Sequence, residues 1–174
     1  RRPRRLPPRG TSFSFTRPGR RPRIVGRAQA GAGDYLSVYE DAGLVHARTV
    51  FAHCVHLDES EWDRLAAAKA IVAHCPDSNA FLGSGDMPIA AAIQRGIPVA
   101  IGTDVAAGRS FRIPHGLSYA YDASLRTRGL VSLERLFWMG TQGGATALGH
   151  TDYGGLRQGQ QADMVLLDMS EELS

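Results

Sequence analysis

The sequence predicts an α/β fold built on a parallel sheet, and two observations carry that prediction. From residue 34 onward, apolar stretches of strand length alternate with stretches of helical period, in the order strand, helix, strand, helix, strand. Each of the three strands also runs out on a polar side chain: His53, His74 and Asp104. Strands buried on both faces of a parallel sheet read as unbroken apolar runs. Polar groups at their C-terminal ends share one mouth when such a sheet closes into a barrel.

The elements follow in order. YLSVYEDAGL, residues 35–44, predicts a helix that stops at Gly43. RTVFAHCV, residues 48–55, is rich in β-branched and aromatic residues and predicts the first strand. DESEWDRLAAA opens a helix with Asp58 as N-cap and Glu61 three residues on, the spacing of a capping box. AIVAHCP is a second buried strand ended by Pro76. DMPIAAAIQRG predicts a helix with Pro88 in its first turn and Gly96 closing it. IPVAIGTD is the third strand, and helices are expected over 116–126 and 133–149. After the turn-rich YGGLRQGQQ, the segment ADMVLLD, residues 162–168, predicts one late strand.

The net charge of +3 hides a split. Residues 1–33 carry ten arginines and no acid, whereas residues 34–174 carry a net charge of −7. Residues 1–33 are Arg, Pro and Gly rich, lack helical or strand periodicity, and are expected to be disordered. Three readings of this segment stay open. It is a basic arm for nucleic acid, a tail without a role, or the product of out-of-frame translation of GC-rich DNA. Nucleic-acid arms usually mix Lys with Arg, which speaks against the first. The chain therefore divides into 1–33, an α/β portion over 34–150, and a final strand and tail over 151–174.

Composition sets further bounds. An apolar content of 43% argues against wholesale disorder. No apolar run approaches the ~20 residues of a membrane span. The charged N-terminal segment has no apolar stretch of the kind a secretory signal carries. Cys54 and Cys75 sit inside apolar runs, so buried thiols in a reducing, cytoplasmic compartment are expected.

Asp104 poses the chemical question. In VAIGTDVAAGRSF, residues 99–111, a run built for burial ends on a carboxylate. Such a group is costly unless it meets a metal, a cation or a proton. His53, His74 and Asp104 converging at one sheet end could hold a divalent metal or orient its bound water. The blander alternative is three structural residues with satisfied hydrogen bonds. His56 falls on the opposite face of its strand from His53 and is read as structural or at the rim. His46, His115 and His150 are assigned no role. The glycine-bearing SGDMPIAAAI and GGATALG lack the lysine of a phosphate-binding loop.

FAHCVHL, VAHCPDSNAFLGSG, GTDVAAGRSF, TQGGATALG and GLRQGQQADMVLLD resemble the amidohydrolase superfamily, and within it the guanine deaminases. The resemblance covers about residues 34–168. It implies the C-terminal part of a metal-dependent (β/α)8 barrel, its sixth to eighth strands, with ADMVLLD as a strand of an adjoining small β-sandwich. It implies Zn2+, with Fe2+ as the family's other option, and a small purine substrate. Asp104 matches the aspartate that ligates the metal and accepts the proton of its water. His53 matches the histidine that hydrogen-bonds that water, while His74 and Asn79 match a segment that shapes the substrate's mouth. The implied reaction takes guanine and water to xanthine and ammonia in purine catabolism, through a zinc-bound hydroxide.

The same resemblance implies motifs this sequence lacks: a His-x-His pair from the first strand, a His-x-x-Glu from the fifth, and an arginine-containing substrate clamp from the third. Three strands cannot close a barrel, and the first would leave an open edge. The expectation is a fragment inactive by itself, with a frameshifted or miscalled start near residue 33, or one completed by an upstream polypeptide. Two rival functions stand beside it. One is another aminohydrolase or chlorohydrolase acting on a heterocyclic ring; the other is a non-enzymatic module whose basic arm binds nucleic acid. No membrane partner is expected, and a homodimer is an option for the whole enzyme.

Overall fold

The computed structural model describes residues 11–13 and 34–166. In them four strands form one parallel sheet, in the order β1 (Thr11–Phe13), β2 (Thr49–Ala52), β3 (Ile71–His74) and β4 (Val99–Ile101). Helix α1 (Tyr35–Asp41) precedes β2, and α2 (Glu59–Ala67) joins β2 to β3. Helices α3 (Pro76–Phe81) and α4 (Ile89–Gln94) join β3 to β4. Then come α5 (Ile113–Arg126), α6 (Leu133–Met139) and α7 (Gln142–Ala147). The parallel α/β arrangement expected from the strand and helix order is what the chain adopts.

Register sorts the two faces of the sheet. Phe51, Val72 and Val99 lie side by side across β2, β3 and β4, and all three are buried. They join Leu36, Trp62, Leu65, Ile89 and Leu136 in one core under the helices. Each large apolar side chain fully removed from water there contributes about 1.5–3 kcal/mol. The next row, Ala52, Ala73 and Ala100, faces the other way and is only half-buried. Small side chains on that face let α7 approach: a Cβ on Gly144 would lie 3.5 Å from that of Ala100.

Helix α2 begins as its spacing predicts. The Asp58 side chain accepts from the Glu61 N–H at 2.9 Å, and Glu61 Oε2 accepts from the Asp58 N–H at 2.8 Å. The other oxygen of this buried carboxylate accepts from the Leu36 N–H at 3.1 Å, so one side chain caps α2 and ties down α1. Asp34 caps α1 and binds Arg64 of α2 at 2.6 Å. The hydrogen bond from Arg64 holds the Asp34 carboxyl down at about 2.

Three expectations are corrected. Residues 1–33 were expected to lack regular structure, yet Thr11–Phe13 run parallel to β2. An open strand edge presents unpaired N–H and C=O groups, which this short segment pairs; the rest of 1–33 lies outside the described residues. ADMVLLD was expected as a strand, but its described residues 162–166 form none. Met164, Val165 and Leu166 are exposed, since the described residues include no second sheet for them to join, and Leu167 and Asp168 lie outside those residues. The helix expected over 133–149 breaks into α6 and α7 at Gly140 and Thr141, where Ile113 and Leu117 crowd Gly140. Helix α3 was not anticipated at all. No helix of the described residues is long and apolar enough to cross a membrane.

Candidate active site

His53 follows β2 directly. Its backbone N–H donates to the Ala73 carbonyl of β3 at 3.0 Å, so the histidine stays in the sheet while its backbone turns. The turn is left-handed, with φ of 68° at His53 and 46° at Cys54. Asp104, three residues beyond β4, is also left-handed at φ 46°. Side-chain-bearing residues adopt this region rarely, at a cost of order 1–3 kcal/mol each, and such residues cluster at functional sites.

Two glycines make the Asp104 loop possible. A Cβ on Gly102 would meet Cys75 Sγ at 2.9 Å. A Cβ on Gly108 would lie 2.0 Å from the Thr103 carbonyl oxygen, which any side chain would clash with. The loop closes on itself as the Ala107 N–H donates to the Asp104 carbonyl at 3.1 Å.

These turns bring three side chains together. His53 Nε2 lies 3.6 Å from Asp104 Oδ2. On the other side of the ring, His53 Nδ1 lies 2.8 Å from Oδ1 of Asn79, a buried residue of α3. An amide oxygen only accepts, so Nδ1 carries a hydrogen toward Asn79 and Nε2 is the ring nitrogen that faces Asp104. The 3.6 Å gap exceeds a direct hydrogen bond and suits a bridging third atom. Cys75 lies against the same pair. Burial, with the Asp104 charge adding to it, pushes its thiol up to about 12, so it stays neutral beside the carboxylate.

His74 ends β3, two residues beyond Val72. It is fully buried, and neither ring nitrogen has a hydrogen-bond partner among the described residues. Burial lowers its pKa from 6.5 to about 4. The folded protein therefore keeps this ring neutral where the unfolded chain protonates it. Stability is unaffected above about pH 6.5 and falls as pH drops from there to about 4, by up to about 3 kcal/mol. Urea midpoints measured across this range are expected to fall with pH in the native sequence and to flatten in His74→Gln. An equally steep fall in both would contradict the assignment.

Sequence reasoning missed a second cluster. Asp77, buried in the first turn of α3, accepts from the Arg109 backbone N–H at 2.7 Å, from its Nε at 2.9 Å and from its Nη2 at 2.5 Å. His115 Nε2 of α5 lies 3.4 Å from the same carboxylate. Burial alone would raise the Asp77 carboxyl, but the Arg109 hydrogen bonds and the nearby positive charge outweigh it and hold it below the usual range. The Arg109 guanidinium packs 4.8 Å from the Tyr119 ring centroid and 5.5 Å from that of Phe81. The available signal is Pro76 followed by Asp and Ser, which marks a helix start as well as a strand stop. His115, assigned no role from the sequence, belongs to this cluster, while His56 is exposed.

Comparison with known proteins follows this geometry. Residues 24–173 match the amidohydrolase family. The chain belongs to that family. This amidohydrolase is 43% identical over 136 residues to the guanine deaminase of Escherichia coli, covering 77% of this chain and 31% of the relative. The solved structure of the E. coli enzyme superposes with a TM-score of 0.70 at 42% identity, over 74% of this chain and 30% of that one. A probable guanine deaminase of Deinococcus radiodurans is 45% identical, over 79% of this chain and 32% of the relative. An adenosine deaminase of Xanthomonas campestris, solved with bound zinc, has a TM-score of 0.73 at 31% identity, over 81% of this chain and 34% of that one. 5-Methylthioadenosine/S-adenosylhomocysteine deaminases match at 34–38% identity and triazine hydrolases at 28%. The chain thus spans about a third of the length of the curated relatives it matches. Its sheet is part of an amidohydrolase barrel, and the family acts as hydrolases on C–N bonds.

Zinc-bound neighbours support a metal cofactor for the family. Zinc ordinarily takes four ligands. Asp104 and Nε2 of His53 fit one side of such a centre. Among the described residues no three His, Cys, Asp or Glu side chains gather as a complete one.

Proposed function

We propose that this chain carries one edge of a guanine-deaminating site, with the proton-transfer and water-orienting groups on it. The His53–Asp104 pair supports the reading most directly, because Asn79 fixes which ring nitrogen faces the carboxylate. Asp104 takes a proton from the attacking water as that water adds to the amine-bearing carbon of guanine, and later returns a proton to the departing amine. His53 Nε2 accepts a hydrogen bond from the same water and aims it. In the whole enzyme Asp104 would be one ligand of a zinc ion, which would supply a water of lowered pKa. The preference for guanine rests on identities of 43% and 45% to two bacterial guanine deaminases, against 34–38% for the methylthioadenosine deaminases and 31% for a probable guanine deaminase of Schizosaccharomyces pombe. The enzyme serves purine catabolism in the cytoplasm and takes a purine rather than a nucleic acid as its partner.

The test is reconstitution. The chain is joined to the part of E. coli guanine deaminase that it does not match, about two thirds of that enzyme, placed ahead of it as the resemblance to its last barrel strands implies, and supplied with zinc. Release of xanthine and ammonia from guanine is expected from the fusion and not from the chain of 174 residues alone. A folded, zinc-loaded fusion that turns over no amino-heterocycle would contradict the reading.

A further inference from the structure

Helix α3 touches both halves of the proposed site within a single turn. Asn79 holds His53, and two residues earlier Asp77 holds Arg109. Arg109 lies one residue beyond Gly108, where the Asp104 loop closes. That loop carries left-handed backbone at Asp104 and Ala106 (φ 46° and 101°), so its shape is not one the chain would hold unaided. The Asp77 carboxylate receives three hydrogen bonds from Arg109, one from the main chain and two from the guanidinium fork. The two guanidinium bonds end on Oδ1 and the main-chain bond on Oδ2, so both carboxylate oxygens are held by Arg109. Phe81 of α3 and Tyr119 of α5 flank the guanidinium, so the fork cannot swing away without losing both rings.

We propose that Asp77 is a positioning residue: through Arg109 it anchors the far end of the Asp104 loop and so sets where the Asp104 carboxylate stands relative to His53. The proposal rests on the reading of Asp104 and His53 as the working pair. It adds that α3 couples them, since one rigid turn locates the imidazole through Asn79 and the carboxylate through Asp77. Neither Asp77 nor Arg109 touches substrate in this account. A displacement of about 1 Å at a reacting group can cost about 10²-fold in rate.

The experiment has two arms. In the first, the 13Cγ resonance of Asp104, assigned by its loss in Asp104→Asn, is followed in the full chain. Asp77→Asn and Arg109→Gln are each expected to shift it and to raise amide exchange over residues 104–109, while the amides of β2, β3 and β4 keep their protection. Arg109→Lys, which retains the main-chain hydrogen bond and a cation, is expected to restore part of the signal. Two independent variants keep the arm readable should one fail to fold. In the second arm, the reconstituted enzyme carrying Asp77→Asn is expected to lose about 10²-fold in kcat with KM nearly unchanged. An unmoved Asp104 resonance in folded variants, or exchange rising equally throughout the sheet, overturns the proposal. So does turnover that survives Asp77→Asn. If the resonance moves but the unmutated fusion turns over no guanine, the substrate reading falls and the positioning role stands.

Discussion

Asp104→Asn is expected to lower guanine turnover by the reconstituted enzyme about 10²- to 10⁴-fold, with little change in KM. The amide fills the same space, so the loop with its two left-handed residues has no steric reason to move. What disappears is the carboxylate 3.6 Å from His53 Nε2, which is both the proton acceptor and a ligand of the proposed zinc, so zinc content is measured beside turnover. An uncharged amide neither takes a proton from the attacking water nor returns one to the departing amine. Ammonia release under saturating guanine reads this directly. A variant that keeps more than about a tenth of the native rate would move the general-base role elsewhere.

Trp62→Ala is expected to destabilise the fold by about 3–5 kcal/mol. Domains of this kind have only about 5–15 kcal/mol in total, so the variant should sit near the edge of unfolding. Trp62 stands on α2, is 1% exposed, and packs in the core with Phe51 and Leu65. Its removal leaves a void beneath the helices that the sheet cannot collapse to fill. The chain's other tryptophan gives the control. Trp138 is 37% exposed and stacks under Arg135 at 4.5 Å, so Trp138→Ala should cost far less. Urea unfolding followed by circular dichroism compares the two, and equal losses would contradict this placement of the core.

Local pattern sufficed for the elements whose neighbours along the chain specify them. The strands containing Phe51, Val72 and Val99 are apolar because helices cover them, and that burial is written in composition. Asp58 and Glu61 announce α2 because the capping bonds lie within four residues. Asp104 was legible for a different reason: an acid at the end of a buried run is a conflict, and conflicts of this kind mark sites.

What was not legible depends on distance. The Asp77–Arg109 fork joins residues 32 apart, and no periodicity encodes it. His53 and Asn79 are 26 apart, so the hydrogen bond that orients the His53 ring emerges only once α3 is placed. His74 reads like His53, a histidine at a strand end. The left-handed turn at His53 swings one ring toward Asp104, while His74 ends β3 two residues beyond Val72. Strand pairing in the Arg-rich segment depended on an open edge elsewhere in the fold. ADMVLLD has strand composition, but its residues 162–166 join no sheet among the described residues, which shows how far β-propensity follows its context.

We propose a guanine-selective site whose acid–base edge lies on this chain. The most direct measurement is the ratio of kcat/KM for guanine to that for 5-methylthioadenosine, taken on the fused enzyme loaded with zinc. A ratio well above ten, with turnover lowered about 10²- to 10⁴-fold by Asp104→Asn, is the predicted result. A ratio below one, with Asp104 still required, would make this chain the edge of an adenosine-type deaminase and contradict the assignment to guanine.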